Sequence, residues 1–256
     1  MSILADFRTL WHLAAGPIRR RRGDTHAQRL ERFYARQADG YDDFRQRLLP
    51  GRAELYRAAA DAALEPDAPA TPDRPIRWVD FGGGTAENVE HVADRLPRVA
   101  SLHVVDLAPS LLRVAERRVR DRGWTNVHPV LADATTFRPP QTPVEVVTFS
   151  YALTMIPDFA AAVAHARALL RPGGVIGVVD FHTSGPRPPA HRRRHGLWTR
   201  RFWPAWFGLD GVRLCPGPLD ALEAAFERVV LSERLTRVPY VPLGRVPYYL
   251  FVGRRR

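Results

Sequence analysis

Lysine is missing from this chain, so all 38 of its strongly basic side chains are arginines. With 27 acidic residues the formal net charge is +11, and the pI is about 10.9. A charge of this size predicts anionic partners, either nucleic acid or an acidic membrane face. Guanidinium groups bind phosphate and carboxylate through paired hydrogen bonds, so the arginine bias shapes the surface chemistry directly.

Cysteine and long apolar runs are also scarce. Cys215 is the only cysteine, which excludes an intrachain disulfide and a thiolate metal cluster and is typical of a reducing compartment. We expect no metal site. The apolar opening contains Asp6, Arg8 and His12, and no run approaches the roughly 18 apolar residues of a membrane-spanning helix. These features predict a cytoplasmic protein.

The chain is long enough for one large domain with an elaboration, at 256 residues. Aromatic and apolar residues recur at spacings of three or four over residues 1–62, which predicts helices. A proline-rich segment follows, with Pro66, Pro69, Pro72 and Pro75, and predicts a non-helical linker. We divide the chain into three parts. Residues 1–75 are a helical cap with a linker, 76–184 are a sheet domain, and 185–256 are an arginine- and tryptophan-rich insertion followed by a strand pair.

Strand-like apolar runs alternate with helical segments in the sheet domain, which predicts a parallel sheet with helices on both faces. These runs are 76–79, 102–105, 127–131, 144–150 and 175–180. Two further strands, 227–233 and 246–252, predict an antiparallel pair at the sheet edge. The predicted fold class is therefore α/β, a seven-stranded Rossmann-like sheet preceded by a helical cap.

A glycine-rich turn follows the first strand. Gly82 and Gly84 let the backbone approach a ligand, and Asp106 at the end of the second strand can bind two ribose hydroxyls. A dinucleotide fingerprint needs a third glycine where Glu87 stands, and this carboxylate would repel a pyrophosphate. Asp80 places a second carboxylate where a cationic amino-acid group is favourable. These residues favour S-adenosylmethionine over NAD.

Other residues at strand ends are assigned to the same cofactor site. Asp133 and Ala134 follow the third strand, where a carboxylate can accept a hydrogen bond from an adenine amino group. Leu107 lies beside Asp106, and Ser150 ends the fourth strand. Together with the glycine turn, these residues within 76–184 resemble the class I S-adenosylmethionine-dependent methyltransferases.

The acceptor side is expected at the carboxyl ends of the fourth and fifth strands, where ligands bind in open α/β sheets. Tyr151, Asp180 and His182 stand there and are candidates for orienting the acceptor or taking its proton. In the cap, Arg45 and Arg52 are candidates for holding a substrate carboxylate. Tyr41, followed by Asp42, resembles the aromatic and acidic pair that covers the cofactor in many methyltransferases, although a packed amphipathic helix explains the cap equally well.

Four further segments carry a more specific resemblance, namely 150–158, 177–181, 201–207 and 246–253, of which the tryptophan-rich 201–207 is the most specific. Together they resemble the diacylglycerylhomoserine N-methyltransferases of betaine-lipid synthesis. The resemblance implies three methyl transfers from S-adenosylmethionine to the homoserine amine of a diacylglycerol ether lipid. It also implies a partner enzyme that makes diacylglycerylhomoserine beforehand.

Aromatic and basic residues near the C-terminal side fit a lipid product with a fixed positive charge. The candidates for an aromatic pocket around that charge are Trp203, Trp206, Tyr248 and Tyr249, each ring contributing about 0.5–2 kcal/mol. An ordinary aromatic cluster is the competing interpretation. The segment 187–213, with Arg19 to Arg22, predicts peripheral binding to the anionic inner face of the membrane.

Three competing functions follow from the same features. A high positive charge with aromatic residues interleaved among the arginines is also typical of the nucleic-acid-binding groove of an RNA methyltransferase. Nucleic acid is nevertheless the less favoured partner. An N-methyltransferase for another amine lipid, such as phosphatidylethanolamine, is a closer alternative. A basic membrane-binding module with a vestigial pocket is the non-enzymatic alternative, which the intact Gly82, Gly84, Asp106 and Asp133 disfavour.

Overall fold

The computed structural model describes residues 25–35, 48–63, 76–208, 211–237 and 244–256. The predicted site residues Tyr41 and Arg45 lie outside these ranges, as do Arg19 to Arg22 and the proline-rich linker. None of the helices in the described ranges is both long and apolar enough to cross a membrane.

Six α-helices and seven strands make up the described structure. The helices are α1 (His26–Tyr34), α2 (Arg52–Ala63), α3 (Pro109–Arg122), α4 (Phe159–Leu169), α5 (Leu197–Gly208) and α6 (Gly217–Ala225). The strands are β1 (Ile76–Phe81), β2 (Val99–Asp106), β3 (Val127–Leu131), β4 (Val144–Ser150), β5 (Leu170–Phe181), β6 (Glu227–Arg237) and β7 (Arg245–Arg254).

The strands form one seven-stranded sheet in the order β3-β2-β1-β4-β5-β7-β6. The pairs among β1 to β5 are parallel, whereas β7 runs antiparallel to both β5 and β6. The predicted α/β fold with an antiparallel pair at its edge is therefore confirmed. Both strands of that pair extend beyond their expected ends, because they form a long ladder that runs from Glu227 opposite Arg254 to Arg237 opposite Arg245.

The central strands are buried on both faces, which explains why they read as continuous apolar runs. Successive side chains of a strand point to opposite faces. In β1, Trp78 packs in the cluster that contains Leu55 of α2, while Val79 packs in the cluster that contains Ala162 of α4 and Leu219 of α6. Helices thus cover both sides of the sheet.

Helix α2 packs directly on the sheet, although its sequence was expected to belong to a cap. Leu55, Tyr56 and Ala59 are fully buried. Gly177 of β5 allows this close packing, because a Cβ atom there would lie 3.0 Å from Leu55 Cδ1 and 3.2 Å from Ala59 Cβ. The helical layer on this face of the sheet thus includes a segment that precedes the first strand at Ile76.

The segment after the glycine turn is a 3₁₀ helix, Glu87–Arg98, and not a regular α-helix. It is entered through Ala86 in the left-handed conformation, with φ of 59°. Val92 has non-helical dihedral angles and Pro97 lies near its end, and both features interrupt α-helical hydrogen bonding.

Candidate functional site

A cavity of about 250 Å³ opens at the carboxyl ends of the parallel strands. Its floor is formed by Gly82 after β1, Asp106 and Leu107 at the end of β2, and residues that follow β3 and β4. Helix α1 covers it from the other side. Open α/β sheets bind ligands at this position, beside the point where strand order reverses between β1 and β4.

The glycine turn gives the cavity its floor. Gly82 has φ of 69°, and a Cβ atom there would lie 2.5 Å from the Cβ of Ala152. Both Gly82 and Gly83 donate their backbone N–H groups to the carbonyl of Val105, at 2.8 and 3.3 Å. A larger residue at position 82 would therefore suffer both backbone strain and a steric clash.

Asp106 is held beside that turn by two backbone groups. Its Oδ2 accepts a hydrogen bond from Gly84 N at 3.0 Å, and its Oδ1 accepts one from Ala108 N at 2.9 Å. Gly84 itself has a positive φ of 58°. The half-buried carboxylate is thereby oriented at the cavity wall.

The residues after β3 form the next part of the wall. Asp133 Oδ1 accepts hydrogen bonds from the backbone N and the hydroxyl of Thr135, both at 2.7 Å. Ala134 and Leu107, two candidates for cofactor binding, also line the cavity. Ser150 is buried at the end of β4, and no described residue hydrogen-bonds its hydroxyl.

Asp80 lies fully buried under the glycine turn. Its Oδ1 accepts hydrogen bonds from the hydroxyls of Tyr56, at 2.5 Å, and Thr148, at 2.7 Å. Its Oδ2 has no hydrogen-bond partner among the described residues, and it lies against Gly83, where a Cβ atom would be only 2.6 Å away. Burial raises the pKa of Asp80 to about 7, although the two hydroxyl donors oppose this shift.

Helix α1 supplies cavity residues that the sequence did not reveal, namely His26, Leu30 and Tyr34. A capping box between Thr25 and Gln28 starts this helix, and the pattern of a threonine followed three residues later by a glutamine is a signal that could have located it. The helix is tied to the sheet because Glu31 accepts hydrogen bonds from the backbone N and the hydroxyl of Ser110.

Tyr151, a candidate for orienting the acceptor, lies in the cavity wall after β4. It has φ of 53°, which is unusual for a residue other than glycine. Two hydrogen bonds of 2.7 Å hold this conformation, one from its backbone N to the carbonyl of Val179 and one from its hydroxyl to the carbonyl of Pro50. The ring packs against Phe181, with centroids 4.7 Å apart.

The structure does not bring Asp180 and His182 to this cavity. Asp180 is fully buried, and its carboxylate accepts hydrogen bonds from Thr154 N, Thr154 Oγ1 and Phe181 N, which tie the segment after β4 to β5. Burial also raises its pKa to about 7. His182 is 1% exposed, with its Nε2 3.1 Å from Glu233 Oε1. Both side chains therefore lie behind the wall, where they are placed to support it.

Arg52 likewise has an internal partner. Its guanidinium donates to Glu87 Oε2 at 2.7 Å and to Asn88 Oδ1 at 3.3 Å, and it is 5% exposed. This geometry does not match the expectation that Arg52 holds a substrate carboxylate, because its guanidinium is already paired with the carboxylate of Glu87. The same ion pair partly neutralises the negative charge of Glu87. Glu87 would therefore repel a pyrophosphate less strongly than its position in the sequence suggested.

The four expected aromatic residues do not form one pocket. Tyr248 and Tyr249 are consecutive in β7 and therefore point to opposite faces of the sheet. Tyr248 packs in the same cluster as Tyr151 and Trp203, with Trp206 at its margin, whereas Tyr249 is fully buried in the other cluster. Trp203 is only 3% exposed. The tyrosine rings that line the cavity are instead those of Tyr34 and Tyr151.

The family model of a methyltransferase domain matches residues 41–229, well over half of the chain. The chain belongs to this methyltransferase domain family. Among curated proteins, the ubiquinone/menaquinone biosynthesis C-methyltransferase UbiE of Shewanella piezotolerans is 26% identical over 130 residues, which cover 50% of this chain and 51% of the relative. The chain thus spans about half the length of the curated relatives it matches.

Solved structures share the fold at low sequence identity. The N-methyltransferase NodS of Bradyrhizobium japonicum, bound to S-adenosylhomocysteine, has a TM-score of 0.61 at 16% identity, covering 91% of this chain and 99% of its own. A Haemonchus contortus phosphoethanolamine N-methyltransferase gives 0.65 at 11% identity, covering 91% and 60%. The [4+2]-cyclase SpnF gives 0.64 at 16% identity, covering 91% and 97%. The predicted class I methyltransferase fold is confirmed, and SpnF shows that the fold also serves another chemistry.

Proposed function

We propose that this protein is an S-adenosylmethionine-dependent N-methyltransferase that trimethylates the homoserine amine of diacylglycerylhomoserine. The product is the betaine lipid diacylglyceryl-N,N,N-trimethylhomoserine. The observation that carries the reaction class is the strand-end cavity in a chain of the methyltransferase domain family. At its wall the Asp106 carboxylate is held by two backbone N–H groups beside a positive-φ glycine turn.

The residues of the cavity, together with Asp80 buried beneath its glycine turn, fit S-adenosylmethionine as the cofactor. Asp106 and Asp133 offer carboxylates at neighbouring strand ends for the ribose hydroxyls and the adenine amino group. The unpartnered Oδ2 of Asp80 beside Gly83 suits an ammonium group, because a buried carboxylate oxygen gains most from a cationic donor. Helix α1 then covers the cavity with the side chains of His26, Leu30 and Tyr34.

The cofactor supplies an activated methyl group on a sulfonium, so the protein's own task is to position the amine in line with it. A nitrogen–carbon bond forms as the carbon–sulfur bond breaks, and only a neutral amine can attack. An α-amino group titrates near about pH 8, so water suffices as the proton acceptor before each transfer. The ring of Tyr151, which lines the cavity, can stabilise the cationic product.

An amine lipid is the acceptor that the sequence motifs favour, notably the tryptophan-rich segment 201–207. Two fold neighbours are N-methyltransferases by name, one of them bound to phosphomonomethylethanolamine, which supports a nitrogen acceptor. Phosphatidylethanolamine is the alternative within this class. The diacylglycerylhomoserine acceptor further requires a partner enzyme that makes it, and a site of action at the inner face of the membrane.

Methylation of a carbon acceptor is the second candidate function. The observation that favours it is the similarity to C-methyltransferases of ubiquinone and menaquinone biosynthesis over half of the chain. The two candidates differ in the bond formed, and mass spectrometry distinguishes them directly because only nitrogen acceptors can gain three methyl groups and a fixed charge.

Isotope-labelled S-adenosylmethionine should therefore be incubated with diacylglycerylhomoserine, phosphatidylethanolamine, a quinone precursor and RNA. We expect products of the homoserine lipid that carry one, two and three added methyl groups. The Asp106→Ala variant is the matched control and should lose labelling of every acceptor. Label that appears only in the quinone precursor or in RNA, with an inert homoserine lipid, would overturn the proposed acceptor.

A further inference from the structure

Two large apolar side chains stand exposed side by side at the start of α5. Leu197 is 62% exposed and Trp198 is 74% exposed, more than any other large apolar side chain in the described ranges. The rest of the helix behaves differently, since Trp203 is buried and Phe207 packs against the core. Exposing an indole and a leucine together to water is unfavourable, so this end of α5 is a candidate contact surface.

The arginines around this end fall into two groups. Arg192 is paired with Asp220 at 2.9 Å and Glu223 at 2.6 Å, and its side chain is 5% exposed, so it holds the segment to α6. Arg193, Arg194 and Arg201 are exposed. Helix α5 contains no acidic residue, and among the described residues no ion pair involves these three guanidinium groups. Their charge is therefore available to an anionic partner.

A row of contacting rings links this surface to the cavity. The rings in contact, in order from the surface, are those of Trp198, Phe202, Trp203, Phe207, Phe181 and Tyr151. Each step spans 4.7–5.8 Å between centroids. The exposed end of α5 is thus joined by packed side chains to the wall where the acceptor would sit.

We propose that this end of α5, residues 193–201, docks on an anionic lipid surface. Leu197 and Trp198 enter the interface, and Arg193, Arg194 and Arg201 contact the phosphates of the headgroups. A lipid surface fits better than RNA, because an aliphatic leucine beside the indole gains from acyl chains and offers nothing to a stacked base. This docking extends the proposed function. It rests on that function only in taking the acceptor to be a lipid.

Vesicle co-sedimentation with the full chain tests the docking without any methyl transfer. Vesicles that contain phosphatidylglycerol should bind the protein, and vesicles of phosphatidylcholine alone should bind it far more weakly. The Arg194→Gln, Arg201→Gln double variant should lower the partition coefficient roughly 25-fold, about five-fold for each charge. Trp198→Ala should lower it roughly ten-fold, because a large apolar side chain no longer enters the interface.

Matched controls separate docking from general effects of charge or stability. Val229→Ala removes another exposed apolar side chain, and Arg98→Gln with Arg120→Gln removes two other exposed arginines. Both controls should bind nearly as well as the parent, and thermal unfolding should show that every variant is folded. Equal partitioning of the parent and the α5 variants would overturn the proposal. Tighter binding to single-stranded RNA than to anionic vesicles, weakened by the same α5 variants, would overturn it as well.

A methylation assay with a short-chain, dispersed amine acceptor keeps the two proposals distinguishable. Trp198→Ala should methylate this acceptor at the parental rate while losing activity on vesicles. If the parent methylates the dispersed amine but never binds vesicles, the docking is wrong and the proposed function stands. If it binds vesicles and methylates no amine, the proposed function is wrong and the docking stands.

Discussion

Replacing Asp80 with asparagine should abolish the release of a proton when the cofactor binds. Burial holds the pKa of Asp80 near about 7 in the cofactor-free protein, so the carboxyl is about nine-tenths protonated at pH 6. An ammonium group beside the unpartnered Oδ2 would favour the ionised form and return the pKa towards its usual range. Binding at pH 6 should therefore release close to one proton.

The same linkage sets the pH dependence of affinity. If only the ionised carboxylate accepts the ammonium, affinity should rise about eight-fold between pH 6 and pH 7.5 and level off above it. Isothermal titration calorimetry with S-adenosylhomocysteine, in two buffers of different ionisation enthalpy, measures both the affinity and the proton count. The Asp80→Asn variant should bind more weakly, with no proton release and a flat profile.

Asp180 provides the matched control, because burial raises its pKa to the same value but both of its carboxylate oxygens already accept hydrogen bonds from Thr154. The Asp180→Asn variant should keep the proton release of the parent. Release that is absent in the parent, or that persists unchanged in Asp80→Asn, would refute the assignment of Asp80 to the cofactor's ammonium group.

Three further predictions concern buried carboxylates, the glycine turn and the Arg52–Glu87 ion pair. The pKa values of Asp80 in β1 and Asp180 in β5 are raised to about 7 by burial. The free energy of unfolding should therefore fall as pH rises from about 4 to 7, by at most about 1.4 kcal/mol per pH unit for each carboxyl. Urea titrations at several pH values measure this slope, and a slope of the opposite sign would contradict the prediction. Gly82→Ala should weaken cofactor binding at least ten-fold in calorimetry, because the new Cβ would lie 2.5 Å from the Cβ of Ala152. Gly123 is the control, since it has φ of 65° but open space around it. Gly123→Ala should cost only about 1 kcal/mol of backbone strain and leave cofactor binding unchanged. Arg52→Met should lower the free energy of unfolding by about 3 kcal/mol because it removes the guanidinium partner of the buried Glu87 carboxylate, and Glu87→Gln in the same chain should restore part of that loss. A raised KM with unchanged stability would instead favour a substrate role for Arg52.

Much of the sheet could be predicted because its strands are buried on both faces. Apolar runs of four to seven residues located the five parallel strands, and the glycine turn after β1, Asp106 at the end of β2 and Asp133 after β3 marked the end that faces the ligand. Asp106 and Asp133 were located in this way. The antiparallel partner strands were recognised from their β-branched and aromatic residues, and only their ends differed.

The cover of the cavity could not be predicted in the same way. Helix α1 reaches the cavity through a tertiary contact between Glu31 and Ser110, which are 79 residues apart in the chain. A capping box locates the start of such a helix but says nothing about what its faces contact. Which of the cap residues meet the ligand therefore depends on packing that no local pattern encodes.

Strand alternation is the one rule that would have sharpened the site from sequence. Side chains two apart share a face of the sheet, so Phe181 and Val179 of β5 belong with Tyr151 and Tyr248, while Asp180 and Tyr249 belong to the opposite face. Standing at a strand end was therefore not enough to place a residue in the cavity. The same rule gives Asp180 a supporting role, because from its own face it can hold the segment after β4 through Thr154 and so fix the position of Tyr151.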